Sequence, residues 1–455
     1  MAGRGNGRIE ERAMTSRFPG SKSQRLIAEL EKYVLTEPWP FVVDVERCSG
    51  MWLATIDGQR IFDWAGYYGS KLVGHNHPRL SDPGYLRRLT LAANNKVANL
   101  DFLTPECLKY YRLLRELAPR CMANDRLEVY AVNSGAEAVE NMMKYFINLH
   151  DRKCLASGRL PSVRRFIYFD QAFHGRTVFA LNITQQDQDP ILTKDFRGLV
   201  PGNLQVPFPA VDRDAPAAGN RARTRHSLEI IEDLLVRYRG EIVGIVIEPI
   251  QGAGGHRLAE PEFFRGLSEL AHRHDTYLGF DEVQTAGGQT GTFFAIDQFG
   301  LPHPPQAVAT AKKLGCGVLY MLHPMEDHGV LDSTWGGSSA DMVRFVQEMA
   351  IVREERLIEK VAERSARLMA GLEGLARRFP ELVGNVRGMG TYAGFTVRRV
   401  GDRNRLLDML LQEESTMLLG AGADSVRLRP SLSASEEDID MLLGILGKCL
   451  ERLAP

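Results

Sequence analysis

The sequence predicts an α/β protein on a mainly parallel sheet, with a smaller α+β lobe built from both ends of the chain. Three observations predict it. Short β-branched runs alternate with helical stretches, most gaps between them are long enough for a crossover helix, and chemistry-bearing residues gather where the runs end. The runs are LEVYAV (127–132), RRFIYF (164–169), EIVGIVIE (241–248), YLGFDE (277–282) and QAVATA (306–311). After the first run, AEAVENMMKYFINL sets Ala138, Met142 and Phe146 at helical spacing. PEFFRGLSELAHRHD supplies a helix before YLGFDE. From 342 a long helical pattern leads to an α+β tail, whose last helix opens on the capping-box pattern Ser435 to Asp438. PFVVDVE, MWLATIDG and RIFDWA are strand-like and are expected to join that tail. The expected divisions are an arm-like or disordered segment at 1–36, a first part of the small domain at 37–85, a large domain at 86–340 and the rest of the small domain at 341–455.

Composition narrows the function classes. A chain of 455 residues exceeds one small core, and 44% hydrophobic with 25% charged residues is ordinary for a globular protein. A formal charge of −1 provides no basic field for nucleic acid. No apolar run is long enough for a membrane span, and MAGRGNGRIEERAMTSRFPGSKSQ has no apolar core of a secretory signal. Six cysteines without CxxC spacing suit the reduced thiols of a cytoplasmic protein and make no metal site.

Open parallel sheets bind ligands beyond the carboxyl ends of their strands. Lys312, after QAVATA, reads either as a surface lysine or as an amine whose charge burial disfavours, ready to form a Schiff base. Asp281 and Gln284 in FDEVQTAGGQTG read as turn or ion-pair residues, or as partners of a heteroaromatic ring: Asp281 for a protonated nitrogen, Gln284 for a phenolic oxygen. Ser134, Gly135 and Ala136 in VNSGAEAVE stand at a strand-to-helix junction, where amides favour a phosphate if the motif is more than an ordinary helix start. In AFHGRT, Phe173 is a core residue or a ring stacker, and Arg176 a structural cation or a carboxylate clamp.

Taken together these residues suit pyridoxal 5′-phosphate, and here the chain resembles the class III, or ω-amino acid, aminotransferases of fold type I. The likeness runs from about residue 40 to 450, through NSGAEAVE, FHGRT, EPIQG, FDEVQT, the AKK lysine, STWGG and VRLRPSL in the family's order. A subgroup likeness, to L-lysine 6-aminotransferases, lies in NNKVANLDFLT, DSTWGGSSADMVR and GADSVRLRPSLSASEEDID.

The resemblance implies a ping-pong transfer of an amine from lysine or a related amino acid to 2-oxoglutarate. Lys312 would be the Schiff-base lysine, with Lys313 as fallback, and Asp281 the partner of the pyridine nitrogen. Thr334 in STWGG would reach the phosphate of a neighbouring subunit, implying a homodimer with shared sites. Arg176 would hold a distal carboxylate, Arg427 the α-carboxylate of the keto acid, and Glu248 would steady Arg176 from behind. One departure concerns Ala253, in EPIQGAGGH, where relatives commonly carry a glutamate that covers the arginine at the position of Arg427. Its loss leaves Arg427 uncovered and the pocket larger. Tyr67, Tyr68 and Lys71 form a bulkier front wall, with Tyr68 against the substrate and Lys71 either exposed or meeting an extra anionic group. The other reading on the same scaffold is elimination, replacement or carbon–carbon bond formation on an α-carboxylate substrate.

Overall fold

The computed structural model describes residues 17–96, 98–161, 163–189, 200 and 202–454. The first described residues, from 17 on, fall within the segment expected as an arm at 1–36. Phe18 is buried against Phe41, and a helix spans Ser21–Leu30. Gly20 gives that helix no side-chain cap. The carboxylate of Asp57 caps it instead, accepting from the amides of Lys22 at 2.7 Å and Ser23 at 2.9 Å. Residues 1–16 lie outside the described residues.

A hairpin of β1 (Trp52–Ala54) and β2 (Arg60–Asp63) follows. The large sheet then collects β3 (Glu128–Val132), β4 (Arg165–Phe169), β5 (Leu204–Val206) and β6 (Ile242–Ile247). Every residue of β6 is buried, which is why its sequence is a continuous apolar run. Beyond β6 projects a minimal hairpin, β7 (Ile250–Gln251) and β8 (Arg257–Leu258), with Ala253 in its loop. β9 (Tyr277–Asp281), β10 (Ala307–Thr310) and β11 (Gly317–Met321) complete the sheet. Its order is β3-β11-β10-β9-β6-β4-β5, and only β11 runs against its neighbours. β11 is a strand the sequence reading leaves unassigned. Too few residues separate it from β10 for a crossover helix, so it enters antiparallel.

The second lobe has β12 (Val383–Met389), β13 (Tyr392–Val397), β14 (Thr416–Met417), β15 (Leu419–Ala421) and β16 (Ser425–Leu428). Four of them form an antiparallel sheet, β12-β13-β16-β15, while β14 pairs with β2. Phe62 and Trp64 pack with Phe395, Leu442 and Leu446 in one core, so both chain ends build this lobe. The larger core takes in Leu72 and Val73, and Met342, Phe345 and Val352 of the helix Ser339–Glu354, on the far sides of the divisions expected at 86 and 340. The long pattern from 342 is two helices, Ser339–Glu354 and Val361–Arg378, with Arg356 between them at φ 52°. The last helix, Glu436–Leu453, carries the expected capping box between Ser435 and Asp438. No helix among the described residues is long and apolar enough to cross a membrane.

Candidate active site

Strand register brings the candidate residues together. β6 and β9 pair Ile247 with Phe280, so the next residues, Glu248 and Asp281, leave the sheet side by side. β10 pairs Ala309 with Asp281, and Lys312 follows three residues on. A cavity of about 260 Å³ results, lined by Ser134, Gly135, Ala136, Phe173, Glu248, Ala253, Asp281, Gln284 and Lys312 among others.

The two adjacent lysines part company here. Lys312 takes a left-handed backbone at φ 50°, rare for a residue with a long side chain, and faces the cavity. Burial, reinforced by the charge of Arg427 and opposed by Asp281, lowers its pKa to about 8. Lys313 turns into the protein. Its Nζ donates to the carbonyls of Gln284 (2.6 Å) and Ala286 (2.7 Å) and sits 5.1 Å from the centre of the Tyr392 ring.

Asp281 is buried and doubly held. Its Oδ1 accepts from the amide of Val283 at 2.9 Å, and its Oδ2 is 2.8 Å from Nδ1 of the buried His174. Burial opposes a charge on His174, yet the hydrogen bond and charge of Asp281 raise its pKa above the ordinary value. His174 lies inside the FHGRT motif but was not singled out by sequence; only the fold shows that it touches Asp281. Glu248 lines the same cavity. Its carboxylate accepts from the amide of Phe173 at 3.1 Å, and no ion pair to Arg176 exists among the described residues. Burial, with Asp281 nearby, pushes its pKa up to about 7. Arg176 is exposed, at the edge of the next cavity.

At the other end, the helix Gly135–Ala156 begins against the cavity. The Ser134 hydroxyl accepts only from Glu137 N, at 3.2 Å, and the first-turn amides of Gly135 and Ala136 have no preceding turn to bond. Space is tight: a Cβ on Gly135 would stand 2.8 Å from Val283, and one on Gly175 2.5 Å from the Ala136 Cβ. Thr334 is exposed and lies outside this cavity, its carbonyl near Asn99 at 3.5 Å.

Beyond Ala253 opens a wider cavity of about 680 Å³, which shares Phe173, Ala253, Gln284 and Lys312 with the first and adds Tyr68, Arg176 and Arg427. Arg427 is only 8% exposed, and its Nε and Nη1 have no hydrogen-bond partner among the described residues. Burial lowers its pKa to about 10. Ala253 offers it nothing, and the loop is fixed there by a 3.0 Å bond from Gly422 N to the Ala253 carbonyl. Tyr68, at φ 59° and half exposed, stands opposite.

Arg429, two residues on, turns away from this cavity. It is 1% exposed, lies over the Tyr392 ring, and bonds Gln284 Oε1 at 3.0 Å and His256 Nδ1 at 2.9 Å. It thereby fixes the Gln284 side chain, a role no sequence pattern announced. Lys71 is half-buried and lines neither cavity, and of the charges near it the buried Glu348 favours its protonated form most.

The residues present fit pyridoxal phosphate. A lysine whose pKa burial lowers to about 8, a held carboxylate, an aromatic side chain and the first turn of a helix share one crevice too close for added side chains. Sequence comparison decides the family: the model of the aminotransferase class-III family matches residues 35–450. The chain belongs to the class III aminotransferases. Such an aminotransferase depends on pyridoxal phosphate and works on amino and keto acids. Among its relatives, the L-lysine-epsilon aminotransferase of Streptomyces clavuligerus is 30% identical over 93% of this chain and 94% of its own. That of Mycobacterium bovis is 32% identical over 92% and 94%. The solved lysine aminotransferase of M. tuberculosis superposes with a TM-score of 0.89 at 30% identity, covering 95% of this chain and all of that one.

Proposed function

We propose that this aminotransferase takes the ω-amino group of lysine or a related amino acid and gives it to 2-oxoglutarate, in the cytoplasm, as a homodimer. The observation that carries the reading is the pairing of the two cavities: Lys312, with its pKa near 8, opens from the inner cavity onto an outer one lined by Arg176 and Arg427.

When bound, pyridoxal phosphate supplies an exchangeable aldehyde and a ring that withdraws electrons from the reacting carbon. Lys312 Nζ, facing the cavity with its pKa near 8, would be the amine that holds the group there and would carry a proton at the reacting carbon. Asp281, oriented by His174, would hold the ring nitrogen protonated. Phe173 would supply an aromatic face to the ring, and Gln284, fixed by Arg429, would serve the phenolic oxygen. Gly135 and Ala136 would take the phosphate, and a second copy of the chain would bring its own Thr334 to the same group. Arg427 receives the carboxylate beside the reacting carbon of the keto acid, and Arg176 the distal one. Glu248 serves the cofactor pocket by holding the amide of Phe173.

The test is purified protein with lysine and 2-oxoglutarate, assayed for glutamate and for the cyclised semialdehyde. Glutamate formation with lysine or a related amino acid supports the reading. No glutamate from lysine or any related amino acid, with the cofactor bound, defeats it.

A further inference from the structure

The outer cavity holds a third arginine, Arg403, that the chemistry above does not use. It occupies the second position of the helix Asp402–Gln412, whose N-cap, Gly401, is left-handed at φ 88° and offers no side-chain cap. Asp402, at the first position, answers the positive end of the helix dipole, but it makes no ion pair with Arg403 among the described residues, so the guanidinium beside the helix start keeps room for an anion. Its Nη1 donates to the carbonyl of Gly422 at 2.7 Å and its Nε to Asn404 Oδ1 at 3.0 Å. These bonds aim the guanidinium without neutralising it. Its Nη2 has no partner, and no carboxylate pairs with Arg403, among the described residues. Gly420 keeps its flank bare, since a Cβ there would stand 3.4 Å from the Arg403 Cζ.

A second observation is independent of the helix. Arg427, lining the same cavity, is buried with two unpartnered nitrogens. Around the cavity stand Arg176, Lys312, Arg403 and Arg427 against one carboxylate, Asp189, among the described residues. Lysine brings a single carboxylate and none beside its ε-amine, so it would leave Arg427 buried and bare while it reacts.

We infer that Arg403 forms a further carboxylate subsite, and that the preferred amino donor is a dicarboxylic diamino acid. One carboxylate, beside the reacting amine, lies on Arg427. The other, at the far end, lies on Arg403 and the uncapped start of its helix. The inference rests on the amino-transfer reading for its substrate and not for its anion site.

The test compares kcat/KM for 2,6-diaminopimelate and for lysine, with 2-oxoglutarate as acceptor, in the holoenzyme and in R403Q. Wild type is expected to prefer the dicarboxylate about tenfold or more, and R403Q to reduce that preference about tenfold. A preference for lysine, or a ratio that R403Q leaves unaltered, overturns the subsite. A second measurement needs no turnover: pimelate is expected to raise the melting temperature of wild type more than hexanoate does. R403Q is expected to abolish that difference. If R403Q does not fold, R403K keeps the charge without the planar fork and should lower the dicarboxylate preference partway; a preference equal to wild type overturns the inference. An Arg403-dependent pimelate effect without amine transfer from any donor would retain the subsite and remove the amino-transfer reading. Amine transfer without any pimelate effect would remove the subsite alone.

Discussion

In the inner cavity, buried charges are matched from within the protein. Asp281 has His174 and the amide of Val283, and Glu248 has the amide of Phe173. In the outer cavity, reached past Ala253, Arg427 is buried with two nitrogens that have no partner among the described residues, and no carboxylate there pairs with Arg403. The first is prebuilt for an occupant that stays. On the proposed reading, the second would leave its counter-charges to be carried in by substrate and taken out by product, so part of the folding stability would be given up to binding.

The largest expected effect separates the two lysines. Lys312→Ala should lower turnover on the order of a thousandfold or more and should abolish trapping of pyridoxal phosphate by borohydride at that residue, read by mass spectrometry. Lys313→Ala should instead lower the melting temperature, because two carbonyls lose their donor, at roughly 1–3 kcal/mol. If Lys313→Ala alone abolished trapping, the assignment would be reversed.

Next comes the outer cavity. Arg427→Gln should reduce kcat/KM for the keto acid roughly a hundredfold, about 2–5 kcal/mol for a lost buried ionic contact, while the substrate-free chain becomes harder to unfold in urea. Ala253→Glu should also stabilise the substrate-free chain, by giving Arg427 a partner, and raise KM severalfold. A substrate-free chain weakened by both changes would mean that Arg427 already has its counter-charge.

The smallest effect is one of pH. The folded pKa of Lys312 is about 8 against an ordinary 10.5, so the unfolded chain holds that proton more tightly. The cofactor-free protein should therefore gain stability from this group as pH rises from about 8 to 10.5, and lack the gain at lower pH. Urea midpoints of wild type and Lys312→Met across that range would show it as a difference in slope.

The parallel strands were legible because burial on both faces writes itself as apolar runs, and chemistry at strand ends is local in sequence. FHGRT, FDEVQT and the lysine after QAVATA could be read in place for that reason. What lay beyond reading depends on side-chain direction after the strand has ended. Nothing in AKK says that Lys313 folds back to two carbonyls. Nothing in EPIQG says that Glu248 meets Phe173 rather than Arg176. His174 and Arg429 each act on a residue more than a hundred positions away, and Arg403 sits in a helix whose own sequence looks like surface.

The second lobe joins residues made early in synthesis to residues made late. β2 takes β14 as its partner, and Arg429 N donates to the Trp64 carbonyl at 2.7 Å. On a ribosome, the strand at 60–63 emerges long before its neighbour at 416–417 exists, while the strands of the large sheet can already pair. Arg427 arrives later still. Between the synthesis of Lys312 and that of Arg427 the nascent chain therefore has the residues of its cofactor crevice but not the arginine at the back of the outer cavity.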